Sequence, residues 1–373
     1  MIYLDYAATT PITPLVKEGI YLFLNSGPAN ASSVHQAGQA AHHILSKARS
    51  QLASIIHSKE KEIIFTSGGT EANNLAILGF AQSQSHDKTQ HFITSKIEHA
   101  SVLSAFEYLE SLGHEVTYLS PQSSGCITPD SVAKAIQKNT ALVSIMWTNN
   151  EIGNNNPIHE IAQLCSDKNI IFHCDAVQAL GYEDFQFDHL NIDMLSISSH
   201  KIYGPSGIGA LIVKTRVPLK PLIFGGHQNW NLRGGTENLL GIHGFQIALT
   251  ELESHRLEDK EHSERLFIHA LGLLKNNPKI CINTNLENRS NHILNFTIKN
   301  IDGESLFMRL DMLGFAVSNG AACSSGAQKP SHVLKALGKS DEEAQSSIRM
   351  SWGRFSTIDE INSFAKALQN IID

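Results

Sequence analysis

The chain has 373 residues, of which 42% are hydrophobic and 17% charged, a composition typical of a folded protein rather than of a disordered or collagen-like chain. With 29 Lys+Arg against 36 Asp+Glu, its net charge of −7 offers no basic patch that would indicate a nucleic acid or membrane partner. No stretch approaches the ~20 apolar residues that span a bilayer, and the first residues lack a signal-peptide pattern. Five scattered cysteines without a CxxC pair predict neither a disulfide framework nor a metal site, so we expect a cytoplasmic enzyme.

Short β-rich runs recur through the first two-thirds of the chain, at residues 63–65, 91–93, 116–119, 142–146, 170–172, 194–197 and 210–213. From the second to the sixth they recur about every 24–28 residues, the length of a strand, a helix and two loops. Stretches such as 128–136, with apolar residues at helical spacing, lie between them. About a dozen residues separate the last two runs, too few for a crossover helix, so the last strand should be antiparallel to its neighbour. We therefore predict an α/β fold with a mostly parallel seven-stranded sheet.

The pattern changes after about residue 250. A charged amphipathic helix over 251–275 is followed by a strand at 293–298 and a helix near 303–313. A loop of small residues at 318–327 and two further helical stretches complete the chain. This order predicts a second, smaller α+β domain. We expect residues 15–250 to form the large domain, and residues 1–14 and 251–373 the small one.

Ligands of a mostly parallel sheet bind beyond the carboxyl ends of its strands, and two features of the sequence fall there. The turn Thr66-Ser67-Gly68-Gly69-Thr70-Glu71 precedes a helix predicted over 72–80, where free N–H groups could bind an anion. The alternative is an ordinary tight turn with Thr70 as the cap of the helix. Asp175, at the end of the 170–172 strand, could likewise be only a helix cap.

Lys201 follows the next strand, beside Ser198 and His200. Its charge would be costly in a closed cleft unless its pKa falls or it forms a Schiff base. If the two strands are neighbours, Asp175 and Lys201 reach opposite ends of one aromatic ring, as pyridoxal 5′-phosphate (PLP) requires. The phosphate would then lie at Thr70, with Ser198 and His200 as further donors.

A cysteine lies among small residues in the loop Ser318-Asn319-Gly320-Ala321-Ala322-Cys323-Ser324-Ser325-Gly326. Cys165, in an amphipathic helix, is expected to be inert core packing, and Cys126 is expected at the surface. Because Cys323 has only small neighbours and no core to fill, we predict a reactive thiol there.

These residues belong to a larger set of motifs, and on them the chain resembles the cysteine desulfurases of the NifS/IscS branch of the class V aminotransferase family of PLP enzymes. The resemblance runs from Tyr3 to about Phe355. The matching motifs are Tyr3-Leu4-Asp5-Tyr6-Ala7-Ala8-Thr9-Thr10, Thr66 to Glu71, Glu98-His99, Asn149-Asn150-Glu151-Ile152-Gly153, His173-Cys174-Asp175-Ala176-Val177-Gln178, Ser199-His200-Lys201-Ile202-Tyr203-Gly204-Pro205, Arg233-Gly234-Gly235-Thr236-Glu237-Asn238, the Cys323 loop and Ile348-Arg349-Met350-Ser351-Trp352-Gly353-Arg354.

The resemblance implies the fold type I of PLP-dependent transferases and a role for each matching position. Lys201 would be the Schiff-base lysine, Asp175 would keep the ring nitrogen protonated, and His99 would stack on the ring and shuttle a proton. Gln178 would bind the phenolic oxygen, and Cys323 would be the nucleophile. The residues implied for the phosphate and the rest of the cofactor are Gly69, Thr70, Asn150, Ser198, His200 and, from the second subunit of a homodimer, Thr236. Asn150 and Arg349 would bind the substrate carboxylate.

The implied reaction converts L-cysteine to L-alanine and leaves the sulfur as a persulfide on Cys323. The sulfur would pass to an acceptor protein, either a scaffold of iron–sulfur cluster biogenesis or a tRNA-thiolation protein. Alternatives are a selenocysteine lyase or another class V enzyme on the same scaffold, or a non-catalytic binding homologue. The Cys323 loop resembles the long, mobile type rather than the short, ordered type of the SufS branch. One segment departs from the pattern: between Gly226 and Arg233 relatives carry a Glu-Arg pair, whereas this chain has Asn229-Trp230.

Overall fold

The computed structural model describes residues 1–27, 30–84, 89–319 and 330–372. The strands are β1 (Ile2–Tyr3), β2 (Ile63–Thr66), β3 (His91–Ser95), β4 (Glu115–Leu119), β5 (Thr140–Ser144), β6 (Ile171–Asp175), β7 (Met194–Ser198), β8 (Gly209–Val213), β9 (Ile280–Ile282), β10 (Ile293–Ile298), β11 (Phe315–Ala316) and β12 (Ser347–Ser351). The α-helices are α1 (Pro14–Leu24), α2 (Gln36–Ile56), α3 (Gly69–Asn74), α4 (Phe80–Ser83), α5 (Ala100–Ser111), α6 (Pro129–Ala135), α7 (Ile158–Asp167), α8 (Leu239–Leu274), α9 (Gly303–Met312), α10 (His332–Ala336), α11 (Asp341–Gln345) and α12 (Ile358–Ile372).

Seven strands form one sheet in the order β2-β8-β7-β6-β5-β3-β4. The strands from β7 through β6, β5 and β3 to β4 pair in parallel. β8 runs antiparallel to both of its neighbours, β7 and β2, because the short link from β7 cannot hold a crossover helix. The predicted α/β fold, its mostly parallel seven-stranded sheet and the antiparallel last strand are confirmed.

Both faces of this sheet are covered, which explains why its central strands β7 and β8 are buried along their whole length. Successive side chains point to opposite faces, so Leu195 and Ile212 pack into one core cluster while Met194 and Leu211 pack into the other. The first cluster includes residues of α2 and α8, and the second includes residues of α5. No helix in the described ranges is both long and apolar enough to cross a bilayer.

A second, smaller sheet has the antiparallel order β12-β10-β9, and β1 and β11 form a separate parallel pair. Residues of these strands, of α9 and of α12 share a third core cluster with the fully buried Trp352. The expected strand at 293–298 is β10, and the expected helix near 303–313 is α9. The sequence did not predict β1, β9, β11 or β12.

Helix α8 is longer than predicted, since it begins at Leu239 rather than at residue 251. Its first turns pack Leu239, Ile242 and Phe245 into the core of the large sheet, whereas the charged residues on which the prediction was based begin at Glu251. The Asn238 side chain accepts a hydrogen bond from Gly241 N and caps the true start. The second half contributes Leu266, Phe267 and Ala270 to the core of the small sheet, so one helix joins both cores.

Candidate active site

A cavity of about 350 Å³ opens beyond the carboxyl ends of β6 and β7. Ten of the predicted site residues line it, namely Gly69, Thr70, His99, Asn150, Asp175, Gln178, Ser198, His200, Lys201 and Arg349. It also includes residues that the sequence analysis did not assign to the site: Ala7, Ala8, Asn73, Ser101, Met146, Val177 and Ser318. The parallel neighbours β6 and β7 bring the acid and the lysine to one edge of the sheet.

Asp175 is the last residue of β6 and is buried. One carboxylate oxygen, Oδ1, accepts a hydrogen bond from Val177 N at 3.0 Å, so the residue does cap the turn that follows the strand. The other oxygen, Oδ2, accepts from Asn73 Nδ2 at 2.7 Å. The carboxylate therefore has a fixed orientation at the cavity wall and does more than cap a turn.

Lys201 is held by one turn of 3₁₀ helix that follows β7 directly. Its Nζ donates hydrogen bonds to the carbonyl oxygens of Ala7 and of Ala8, the latter at 2.8 Å. Desolvation by the surrounding walls lowers the pKa of the Lys201 amine to about 7, and the positive charge of Arg349 adds to this effect. The negative charges of Asp5 and Asp175 oppose this effect and raise the pKa of Lys201. A large fraction of this amine is therefore neutral near pH 7, as a nucleophilic lysine requires.

His99 precedes α5 and acts as its N-cap, accepting a hydrogen bond from Ser101 N on Nδ1. Desolvation by the cavity walls lowers the pKa of the imidazole, and the positive charges of Lys201 and His332 lower it further, against the opposing effect of Asp175. The ring is exposed toward the cavity, where it could stack on a flat ligand.

Arg349 lies in the middle of β12, and its side chain is only 5% exposed. Nη2 donates to Asp5 Oδ1 at 2.6 Å, and Nη1 donates to the carbonyl oxygen of Asn150 at 2.9 Å. Its Nε is buried and has no partner among the described residues. The backbone of Arg349 also pairs with that of Ser318, the residue at which the Cys323 loop begins.

The region around Gly68 is shaped for close approach to a ligand. Gly68 has φ of +152°, and a Cβ on the following Gly69 would lie 2.7 Å from Val177 Cγ2, so this turn requires glycine. The buried Ser198 Oγ has no hydrogen-bond partner within the described ranges. Desolvation and the charge of Lys201 lower the pKa of His200 to about 4, so its ring is neutral at pH 7.

Gln178 is buried beside this group. Its Nε2 donates to the Ala7 carbonyl oxygen at 2.8 Å, the same oxygen that Lys201 contacts. Its Oε1 is 3.3 Å from His292 Nε2, whose neutral state is fixed because burial lowers the pKa of His292 to about 3. The N-terminal segment around Ala7 therefore fixes the positions of two predicted site residues at once.

Two predicted site residues are not part of this cavity. Thr236 is exposed and does not line the cavity of its own chain. Cys323 lies outside the described residues. Of the other cysteines, Cys165 is buried as expected, but the expectation of an exposed Cys126 is wrong, because this thiol is buried and donates to the carbonyl oxygen of Asn155 at 3.3 Å.

The segment that departs from the family pattern packs beneath the first strand of the large sheet. Asn229 is buried, and its Oδ1 accepts from Arg49 Nη2 at 3.2 Å and from Phe65 N at 3.0 Å. The Trp230 ring lies 5.1 Å from the Arg49 guanidinium. Neither residue of the pair lines the cavity, so their contacts are with α2 and β2.

Comparison with known proteins identifies the family. The sequence pattern of the aminotransferase class-V family matches residues 2–364. The chain belongs to the aminotransferase class-V family. A protein named cysteine desulfurase IscS from Dictyoglomus turgidum is 42% identical over 376 residues, covering 100% of this chain and 94% of the relative. A solved NifS-like protein has a TM-score of 0.93 at 33% identity, covering 100% of this chain and 99% of its own. A structure described as SspA in complex with cysteine has a TM-score of 0.84 at 35% identity, covering 96% of this chain and 100% of its own.

Enzymes of this family use PLP, and the residues of the cavity fit that group. A neutral amine on Lys201 suits the aldehyde of PLP, and the fixed carboxylate of Asp175 suits the pyridine nitrogen. The unpaired Ser198 Oγ, beside the glycine turn, suits a phosphate oxygen. The resemblance and the cofactor expected from the sequence are thus confirmed at the level of the family.

Proposed function

We propose that this protein is a PLP-dependent cysteine desulfurase that converts L-cysteine to L-alanine and transfers the sulfur to Cys323. The observation that carries this proposal is the joint placement of Lys201, Asp175 and Arg349 around one cavity. The relative from Dictyoglomus turgidum is named a cysteine desulfurase, and the similar structure of SspA is a complex with cysteine. Both findings disfavour a selenocysteine lyase or a non-catalytic homologue.

In the proposed mechanism PLP, when bound, supplies an electron sink for the bonds around the substrate α-carbon. Lys201 would hold the cofactor through its amine, and the same amine, when free and neutral, would take the α-proton of the substrate. A pKa of about 7 suits this exchange near neutral pH. The carbonyl oxygens of Ala7 and Ala8 are placed to accept hydrogen bonds from the resulting ammonium.

The remaining residues orient the reactants. Arg349 and Asn150 bind the substrate carboxylate, with the buried Nε of Arg349 available as a donor. Asp175 binds the ring nitrogen of PLP, Gln178 binds its phenolic oxygen, and His99 stacks on the ring. The cofactor phosphate is held by Gly69, Thr70, Ser198 and His200.

Cys323 completes the reaction. Its thiolate attacks the substrate sulfur, the Cβ–S bond breaks, and the products are a persulfide on Cys323 and, after proton uptake, alanine. Two flanking contacts support this role. Ser318, with which the Cys323 loop begins, lines the cavity. His332 follows the loop, and its Nε2 donates to the carbonyl oxygen of Glu98 at 2.9 Å, one residue before His99 of the cavity. Cys323 follows Ser318 by five positions, a reach of at most ~18 Å, enough to meet the cavity and to extend away from it.

We further propose a cytoplasmic homodimer in which Thr236 contributes to the phosphate site of the partner subunit. The exposure of Thr236 outside its own cavity supports this arrangement, as do exposed apolar side chains such as Tyr21, Leu24 and Phe224. The four cysteines in the described ranges are free thiols, which suits a reducing compartment. A sulfur-acceptor protein, either an iron–sulfur scaffold or a tRNA-thiolation protein, would take the persulfide sulfur.

The function is tested with the Cys323→Ala variant, using Cys281→Ala as the matched control because Cys281 is the most exposed thiol of the four. Cys323→Ala should keep PLP and its spectral response to L-cysteine, while alanine formation falls to near background. Cys281→Ala should behave as wild type. Mass spectrometry after one turnover should find the added sulfur on the Cys323 peptide. Added sulfur on any other cysteine, or normal turnover by Cys323→Ala, would refute the proposal.

A further inference from the structure

Two buried polar residues of the cavity wall, Asn73 and Ser101, connect Asp175 to His99. We infer that Asn73 and Ser101 are positioning residues that fix the tautomer of His99, so that its imidazole meets the substrate and cofactor as an N–H donor through Nε2. This inference rests on the proposed function for its consequence in catalysis, although the hydrogen-bonded connection itself does not depend on it. Neither residue belongs to the site expected from the sequence.

The connection begins at Asn73, which lies in α3 and is only 1% exposed. Its Nδ2 carries two protons and has two acceptors, Asp175 Oδ2 at 2.7 Å and Ser101 Oγ at 2.9 Å. Both acceptors are therefore satisfied by one amide group. Asp175 determines this orientation of the side-chain amide, because an amide oxygen in place of Nδ2 would face the carboxylate with no proton between them.

Ser101 passes the constraint to His99. A serine hydroxyl has one proton, and because Oγ already accepts from Asn73, it can give that proton to His99 Nδ1, 2.8 Å away. The backbone N–H of Ser101 donates to the same nitrogen at 3.1 Å. With two donors directed at Nδ1, this atom must be an acceptor, and the proton of the neutral ring resides on Nε2.

The charged groups around His99 agree with a neutral ring. Desolvation, Lys201 and His332 disfavour the imidazolium, and among the described residues Asp175 alone favours it. A proton on Nδ1 would also face the Ser101 N–H, so protonation there would require the backbone contact at the start of α5 to break. His99 is thus restricted to exchanging its proton at Nε2, which sharpens the expectation that it shuttles a proton.

A purely structural role for Ser101 is the alternative, because the same N–H contact caps α5. The Ser101→Ala variant separates the two roles, since it keeps the backbone contact and removes only the hydroxyl. Ser101→Thr restores a hydroxyl, and Ser104→Ala, at an exposed position of the same helix, is the matched control. Asn73→Ala provides a second break in the connection if Ser101→Ala is poorly folded.

The first measurement is the ¹⁵N spectrum of histidine-labelled protein, with and without PLP, with the His99 signals identified by their loss in His99→Asn. Wild type should show an acceptor-type Nδ1 and a protonated Nε2. In Ser101→Ala and Asn73→Ala the backbone N–H of Ser101, at 3.1 Å, is the one donor among the described residues still fixed toward Nδ1, so both variants should show a partial shift toward the Nδ1-protonated tautomer. The second is steady-state kinetics with L-cysteine. Ser101→Ala should lower kcat about tenfold with KM changed less than about twofold, and Ser101→Thr should recover most of the loss.

An unchanged His99 tautomer in both Ser101→Ala and Asn73→Ala would overturn the inference. A lower melting temperature of Ser101→Ala without a change in its kcat would also overturn it, because it would show a purely structural role. A wild-type protein that forms no alanine from cysteine would refute the proposed function instead. In that case the ¹⁵N spectra would still decide whether Asn73 and Ser101 fix His99.

Discussion

The two sides of the active-site cavity are built differently. One side, which we call the sheet wall, lies at the carboxyl ends of two neighbouring parallel strands and consists of Asp175, Ser198 and Lys201. The other side, which we call the opposite wall, consists of Ala7, Ala8 and the ion pair between Asp5 and Arg349. Here an N-terminal segment contacts a strand of the small sheet. The sheet wall carries groups suited to the cofactor, whereas the opposite wall carries the arginine suited to the substrate. We therefore expect substitutions on the sheet wall to disrupt cofactor chemistry and substitutions on the opposite wall to disrupt substrate recognition.

The largest effect is expected on the sheet wall. Replacing Lys201 with Ala removes the one lysine amine that lines the cavity among the residues the structure describes, and should lower alanine formation by about 10²–10⁴-fold. Borohydride treatment of the PLP-loaded protein should then trap no PLP on lysine, as mass spectrometry would record. PLP trapped on a different lysine would show that the sheet wall does not hold the cofactor as proposed.

A mixing experiment extends this prediction to the subunit interface. If Thr236 serves the partner's site, a dimer of one Lys201→Ala subunit and one Thr236→Ala subunit contains one intact site. Activity should therefore return when the two inactive variants are mixed and allowed to exchange subunits. No recovery, despite hybrid dimers detected by native mass spectrometry, would argue against a shared site.

An intermediate effect is expected on the opposite wall. Arg349→Lys keeps the charge but loses the planar donor pair, so KM for cysteine should rise about 10- to 100-fold, the range for a lost charged hydrogen bond. PLP affinity, measured by equilibrium dialysis, should change little. Arg216→Lys is the control, because Arg216 forms an ion pair with Asp193 away from the cavity. A parallel loss of PLP affinity would contradict the division between the two walls.

The smallest effect is expected in the pH dependence of cofactor loading, because the charge of Arg349 on the opposite wall lowers the pKa of Lys201 on the sheet wall. Only the neutral amine of Lys201 reacts with PLP, so the rate of cofactor loading by apoprotein should rise about tenfold per pH unit below 7 and level off above it. Because the charge of Arg349 helps to lower this pKa, Arg349→Gln should move the midpoint to higher pH. Stopped-flow absorbance would measure both profiles, and an unmoved midpoint would mean that the walls are electrostatically independent.

The same division governs what the sequence could predict. The sheet wall follows from local pattern, since an apolar run that ends in Asp175 or before Lys201 marks the end of a buried strand. On the opposite wall, β12 contains Arg349 between serines, and all five of its residues are buried. Its polar and apolar residues alternate as in a half-buried strand, but only Ile348 and Met350 carry this pattern, and the prediction overlooked it. Only the family resemblance pointed to Arg349, and nothing local indicated that Asp5 is its partner.

Asn73 and Ser101 were missed for a related reason. Each is a small polar residue in a helix that contains other polar residues, where local pattern predicts a solvated side chain or a cap. Their burial and shared contacts arise because α3 and α5 pack together over the end of β6. The one available signal was the spacing of Ser101, two residues after the predicted His99. The start of α8 was missed because the prediction followed the charged residues, which begin at Glu251, and overlooked the apolar residues at helical spacing from Leu239 onward.

The ion pair between Asp5 and Arg349 joins residues that are 344 positions apart. At synthesis rates of roughly 5–20 residues per second, the ribosome needs roughly 17–70 s to add Arg349 after Asp5. During that interval the strands of the large sheet are made, and its lysine and acid can come together. Nascent chains can thus form the edge suited to the cofactor before the arginine suited to the substrate exists. Under the assignment proposed here, reactive sulfur would be generated only after nearly the whole chain has been synthesised.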